Sequence, residues 1–486
     1  MKRAFLLVAV LAAACLGAFV WRARPKPPYV YGFDGRALAT PSVFRRIWPE
    51  PIPPEVQGNH RAFTDQALIV RDVRVVANDS DFTSQSLDKW GFAGVIRRAF
   101  LVGGSPQTVT EAVQAAQVKD ALGGELYAAK AIFNPAWNGN QFGNAPVHLL
   151  AIVNRLDQAR VDGNGNLCGA EIRFDYQALT GNVRPDYLRL IVEFALRCVK
   201  PEFFQGWAQS WNGLAGLPMD PDEHGKYPYQ DELKTLLQQL TAQANVARLR
   251  ANGLGQNNDW EMREFVFGAG SIAPFDMERE PNILLGKCQD ANSQLGKFAV
   301  AHKADILDPN NTWDYHADPV LRCFHDPARP NNCDPETVGA NGTRVLVLGA
   351  DVLDDNSRDE VRHQLSVNSC SACHGLETRD DIHQIGPRNT ENTDESDLSG
   401  FLTGAADCAR GPKATLNTDD SACTAPLRDL PKPGGACADV ELANRSYNDL
   451  LRRHMFIYKV LHELRPKDPP DKWKNKLKMY MALEVH

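Results

Sequence analysis

The chain is 486 residues long, 43% hydrophobic and 23% charged, with a formal net charge of −7. That length exceeds a single hydrophobic core of ordinary size and predicts two folded domains, while the ordinary globular composition excludes wholesale disorder. A small charge with both signs dispersed removes any electrostatic case for nucleic acid as the main partner.

In chain order, Lys2 and Arg3 precede an uncharged apolar run, residues 4–21, which reads as an export signal. Residues 1–21 are therefore expected to be a signal peptide or a membrane anchor. Cleavage near Ala12, Ala13 and Ala14, lipidation at Cys15, or retention with Arg22, Arg24 and Lys26 as a stop-transfer flank all remain open. Each places the protein in the periplasm or against the inner or outer membrane. Residues 22–58 hold eight prolines and read as an extended tether. Alternating and β-branched stretches at 67–76, 147–153, 170–176 and 187–196 predict strands, and 247–250 with 260–267 predicts a hairpin. Helices are expected over 106–122 and 229–244, the second from Leu233, Leu236, Leu237 and Leu240 at helical spacing. Residues 59–290 thus form a mixed, strand-rich domain. Turn signals dominate 291–350, a loop-rich connector with one strand at 343–347, and 351–486 carries helical patterns at 357–369, 447–464 and 471–483. The fold class is α+β, a strand-rich mixed N-terminal domain followed by a mainly α-helical one. Lys472, Lys474, Lys476 and Lys478 read as the wet face of the last helix.

Eleven cysteines agree with export to an oxidising compartment. Setting aside Cys15, Cys370 and Cys373 leaves eight, enough for four disulfides. Local pairing is expected for Cys168 with Cys198 and within Cys408, Cys423 and Cys437.

The sharpest chemical motif is Cys370-Ser371-Ala372-Cys373-His374. Two thiols at this spacing suit thioether bonds to the vinyl groups of one covalent haem c, with the adjoining imidazole as proximal iron ligand. Composition alone would produce the motif about 0.006 times, so coincidence is a poor account of it. With a helix leading in, Gly375 after the histidine, and Gly386-Pro387 twelve residues beyond it, the stretch resembles class I cytochromes c. That resemblance covers at most residues 350–486 and implies a cytochrome c-like haem domain at 351–486 with an electron-transfer or redox role. It also implies a distal ligand, for which His383, His454 and Met455 are candidates. Asn154-Arg155-Leu156-Asp157, Cys168-Gly169-Ala170-Glu171 and the motif region further resemble an uncharacterised group of secreted proteobacterial proteins, a likeness that supplies no activity. Two other readings of the motif stay open: a local disulfide, or Cys370, Cys373, His374 and His383 as four ligands to Zn²⁺.

Other motifs are weaker. Asp162-Gly163-Asn164-Gly165-Asn166 opens like a calcium loop but has Arg173 at the twelfth position, so it reads as a hairpin turn. Arg155, Asp157, Glu171 and Arg173 form either a polar substrate site or a cross-strand ion-pair ladder, the ladder being the more ordinary reading. Gly268-Ala269-Gly270-Ser271-Ile272-Ala273 resembles a dinucleotide fingerprint, yet Pro274 opposes the helix it requires. Neither HExxH nor GxSxG occurs. The expectation is an exported monohaem c-type protein in electron transfer or haem-dependent oxidoreductase chemistry, working with a redox partner protein or a small-molecule substrate. Its alternative is a disulfide-rich exported binding or structural protein without haem.

Overall fold

The computed structural model of the chain describes residues 53, 56, 63–137, 139–178, 188–254, 260–275, 288–307, 346–367, 384–388, 395–403, 423–425, 437, 445–447 and 449–477. Its centre is an antiparallel sheet built from strands with a two-residue alternation of polar and apolar side chains. In chain order these are β1 (Ile69–Val70), β2 (Val147–Arg155), the short pair β3 (Arg160–Val161) and β4 (Leu167–Cys168), β5 (Glu171–Ala178), β6 (Leu188–Leu196), β7 (Ala244–Leu254), β8 (Trp260–Gly268) and β9 (Ser271–Phe275). The seven-stranded sheet runs β1-β2-β5-β6-β7-β8-β9, while β3 and β4 form a separate hairpin. The expected strand over 67–76 shrinks to β1. Asp72 ends it by accepting a hydrogen bond from the Arg74 backbone N–H and capping a short helix, Val73–Val76.

One face of the sheet is apolar. Ile172, Phe174 and Tyr176 of β5 and Leu190, Val192 and Phe194 of β6 point to it and are fully buried. Helices α1 (Phe92–Val102), α2 (Glu111–Glu125) and α3 (Tyr127–Ala136) belong to this layer. Phe174 stacks on Trp90 and meets Phe194 edge-on, both at 5.9 Å between centroids, and Phe92 meets Tyr176 edge-on at 5.1 Å. Burying each such side chain contributes roughly 1.5–3 kcal/mol. Helices α4 (Pro201–Leu214) and α5 (Pro228–Thr241) join the same core, the latter through Leu233, Leu236, Leu237 and Leu240 as its spacing predicts.

A second, smaller cluster gathers Leu295, Phe298 and Ala299 of α6 (Gln294–Ala301), Ile306 of α7 (Lys303–Leu307), and Val361 and Leu365 of α8 (Asp355–Val367). It includes the parallel pair β10 (Cys288–Gln289) and β11 (Val347–Leu348). By contrast, α9 (Asp449–His462) and α10 (Pro470–Leu477) bury Leu450, Leu451, Phe456, Val460, Trp473 and Leu477 in the main core, beside Phe63, Ala67 and Phe204. The mixed α+β architecture therefore stands, with a sheet-rich first part and more helical later segments. Its cytochrome c-like part does not. A domain needs a core of its own, and the helix that leads to the motif and the helices that follow it fill two different cores.

Disulfides tie this arrangement together. Cys168 is bonded to Cys198 as expected, joining the β3–β4 hairpin to the end of β6. Cys437 is bonded to Cys288, 149 residues away, so it takes no part in the local pairing expected within Cys408, Cys423 and Cys437. Local spacing favours short loops, whereas this bond closes across the second cluster, where Cys437 is fully buried beside the Val347 carbonyl.

Candidate functional site

The opposite face of the sheet is charged, and the alternation that buries Phe174 and Phe194 puts it there. Glu171, Arg173, Asp175 and Gln177 of β5 lie on it, opposite Ala195, Glu193, Ile191 and Arg189 of β6. Continuing outward, Arg189 faces Asn252 of β7, Ile191 faces Arg250, and Arg250 faces Glu264 of β8. An antiparallel sheet commonly leaves such a face in water. Here segments 384–388 and 395–403 and helix α9 lie over it, and Arg173, Asp175, Arg189, Glu193 and Glu264 are all buried.

Ion pairs neutralise much of this charge, as the ladder reading expected. Arg173 spans Glu171 at 2.6 Å and Glu193 at 3.0 Å; Arg250 spans Glu264 at 2.9 Å and Glu193 at 3.3 Å. At the end of β2, Arg155 holds Asp157 at 3.1 Å, and Arg452 of α9 reaches the other oxygen of Asp157 at 2.8 Å. Asp449 receives Arg452 at 2.6 Å and Arg453 at 2.7 Å. Burial acts to raise Asp157, but Arg155, Arg452 and Arg453 outweigh it and hold its carboxyl well below the usual range. Arg155 is itself pushed down to about 9, by burial first and then by Arg453.

Between the sheet and its cover lies a cavity of about 70 Å³, lined by Arg155, Arg173, Asp175, Arg189, Arg250, Asn252 and Arg453 among the polar residues. Ile69, Val153, Ile191, Met262, Ile385 and Leu402 supply apolar wall. Five arginines thus share the lining with one carboxylate, Asp175. Burial raises Asp175 to about 6 despite the pull of Arg189 and Arg173. Three side-chain atoms of the lining have no hydrogen-bond partner: Asp175 Oδ1, Asn252 Oδ1 and Arg453 Nη1. Buried polar atoms are nearly always satisfied, so these three leave hydrogen-bonding capacity turned toward one cavity. Near the same edge, His148 is 3.3 Å from Gln177 Oε1, which also accepts the Arg388 backbone N–H at 3.1 Å. Burial, with Arg388 second, lowers His148 to about 4.

Of the residues singled out in the sequence, Arg155 and Arg173 reach this cavity, while Asp157 and Glu171 hold the arginines behind it. Asp175, Arg189, Arg250, Asn252 and Arg453 had not been singled out. The available signal was the charged and amide residues recurring on one side of β5, β6 and β7. Cys370, Cys373, His374 and His383 lie outside the described residues. Met455, a candidate distal ligand, is fully buried in the main core, and His454 stacks on Phe63 at 4.0 Å. Core packing, not ligation, accounts for both.

The weaker motifs resolve as turns. Asp162 Oδ1 accepts the Asn164 and Asn166 N–H groups at 2.8 Å each, and Gly165 takes a positive φ of 79°. The turn after β8 places Gly270 at φ 84°, with its N–H donated to Ser105 Oγ, so no helix opens there. Among the described residues, one group of His, Cys, Asp or Glu is close enough to share a metal: Asp162, Cys168 and Cys198. Its two sulfurs are bonded to each other, which removes them as thiolate ligands.

No protein-family model, curated protein or solved structure matches this chain. The resemblances to class I cytochromes c and to a group of secreted proteobacterial proteins accordingly do not hold, and the haem c, iron and electron-transfer expectations fall with them. The cysteines that the structure describes in bonds are paired as disulfides, and the helices assigned to a haem domain are shared between two cores.

Proposed function

We propose that the chain is an exported, disulfide-stabilised binding protein without haem, and that its ligand is a small anion held on the charged face of the sheet. The observation that carries this reading is the covered cavity where five arginines meet with one carboxylate and three unpartnered polar atoms. An orphan left without a ligand costs about 1–3 kcal/mol, a cost that a bound anion and its hydrogen-bonding groups would remove. Export is supported by Lys2 and Arg3 ahead of the apolar run and by the two disulfides, which persist in oxidising compartments. Among the described residues no helix is long and apolar enough to cross a membrane.

Thermal unfolding with chloride, sulfate, phosphate and acetate tests the binding reading. A ligand at a hundred times its Kd should add about 2.7 kcal/mol of stability. Arg453→Gln should abolish that gain while the variant remains folded. If no anion shifts the transition, the cavity is structural and the proposal falls. The absence of haem has its own measurement: protein produced alongside haem-attachment machinery should give no pyridine haemochrome after denaturation, and a covalent c-type spectrum would overturn this part.

A further inference from the structure

The cavity is not lined as a site for a compact inorganic ion would be. Its arginines are interleaved with aliphatic side chains, Ile191 and Met262 from the sheet and Ile385 and Leu402 from the cover among them. Sulfate or phosphate would leave those surfaces unfilled, whereas a carboxylate with a short hydrocarbon tail would meet both kinds of wall. The volume, about 70 Å³, keeps that tail short.

The lining carboxylate selects further. Asp175 is only 7% exposed, and its Oδ1 is unpartnered. Directly across the sheet it meets the apolar side chains of Ala151 and Ile191. The charged groups that line the cavity with it are Arg173 on its own strand, Arg155 from β2, Arg189 from β6, Arg250 from β7 and Arg453 from α9, of which Arg189 and Arg173 act on it directly. Glu171 and Glu193, the neighbouring acids, are engaged by Arg173. An anionic ligand entering this space meets a second carboxyl group as well as the arginines. Two carboxylates in one buried site do not both stay ionised; one proton between them turns repulsion into a short, charge-assisted hydrogen bond.

Building on the small-anion reading of this face, we propose that the ligand is a short-chain aliphatic carboxylic acid that binds together with one proton, shared between its carboxyl group and Asp175. The arginines take the remaining charge and the tail lies among the aliphatic side chains. No covalent bond forms or breaks; the proton comes from solvent. With burial raising Asp175 to about 6, binding above that pH takes one proton up. Affinity should then weaken about tenfold for each pH unit.

Titration calorimetry of the full chain with butyrate, between pH 5 and pH 8 in two buffers of different ionisation enthalpy, reads the proton directly. The expected result is uptake of close to one proton above pH 6 and a Kd that rises tenfold per pH unit. From acetate to butyrate, affinity should rise about fourfold per methylene and then level off. Asp175→Asn should abolish proton uptake and flatten the pH profile of butyrate affinity. Butyrate binding without proton uptake would overturn the proposal. So would exclusive binding of sulfate or phosphate, or tighter binding of a zwitterion such as glycine at high pH, and each of these leaves the anion-site reading standing. Binding of no anion at all removes both. Should Asp175→Asn fail to fold, the two-buffer measurement on the native chain decides alone.

Discussion

The two faces of the central sheet share the same strands and differ in almost every other respect. Phe174 and Asp175 are neighbours in the chain, both more than nine-tenths buried, yet one sits among Trp90 and Phe194 while the other looks into a cavity walled by arginines. On the aromatic face, burial is itself the stabilising term. On the charged face, burial costs free energy, and Arg155–Asp157 or Arg173–Glu193 only offset it. A covered polar face of this kind is weak evidence for stability, and its unpartnered atoms point to binding.

The contrast is breakable in a ranked set of experiments. Phe174→Ala should have the largest effect, a loss of about 3–5 kcal/mol in urea unfolding at unchanged m, because it leaves a hole under Trp90. A loss below about 1 kcal/mol would mean that the aromatic face does not carry the fold. On the other face, Asp157→Ala should cost about 3 kcal/mol by stranding the buried Arg155. Replacing the pair together, Arg155→Met with Asp157→Leu, should recover most of that loss, since Arg452 keeps Asp449. If the double variant is as unstable as the single one, the pair does more than neutralise itself.

The smallest effect concerns pH. Asp175 is raised from the usual 3.8 to about 6 in the folded protein, so its contribution to stability is fully present below the unfolded value and is lost as pH rises through about 6. His148 works in the opposite direction: lowered from 6.5 to about 4, it contributes above the unfolded value and is lost as pH falls toward 4. Unfolding curves between pH 4 and pH 7 should therefore show Asp175→Asn gaining on the native chain as pH rises, and His148→Gln gaining as pH falls. Parallel curves for all three proteins would place both groups in contact with bulk water.

Parts of this architecture were legible beforehand because local chemistry decides them. The strict alternation of Glu171 to Ala178 fixes a strand with two unlike faces, Asp162 and Gly165 specify their turn, and Cys168 and Cys198 lie close enough in the chain to pair. The candidate site was only half legible. Arg155 and Arg173 stood out as charges on a strand, but Arg453 reaches the same cavity from a helix near the other end of the chain, and no periodicity announces that approach. Nor could spacing pair Cys437 with Cys288, or divide α8 and α9 between two cores.

The residue order alone determined which side chains share a face, because β-strand geometry sends every second residue to the same side. Whether the charged face would meet water or protein was decided by the tertiary structure, through the segments at 384–388 and 395–403 and helix α9 that close over it. That choice sets the chemistry. A carboxyl group's affinity for its proton depends on the solvent taken away from it, and solvent is removed by whatever packs on top, not by the strand on which the carboxyl group is carried.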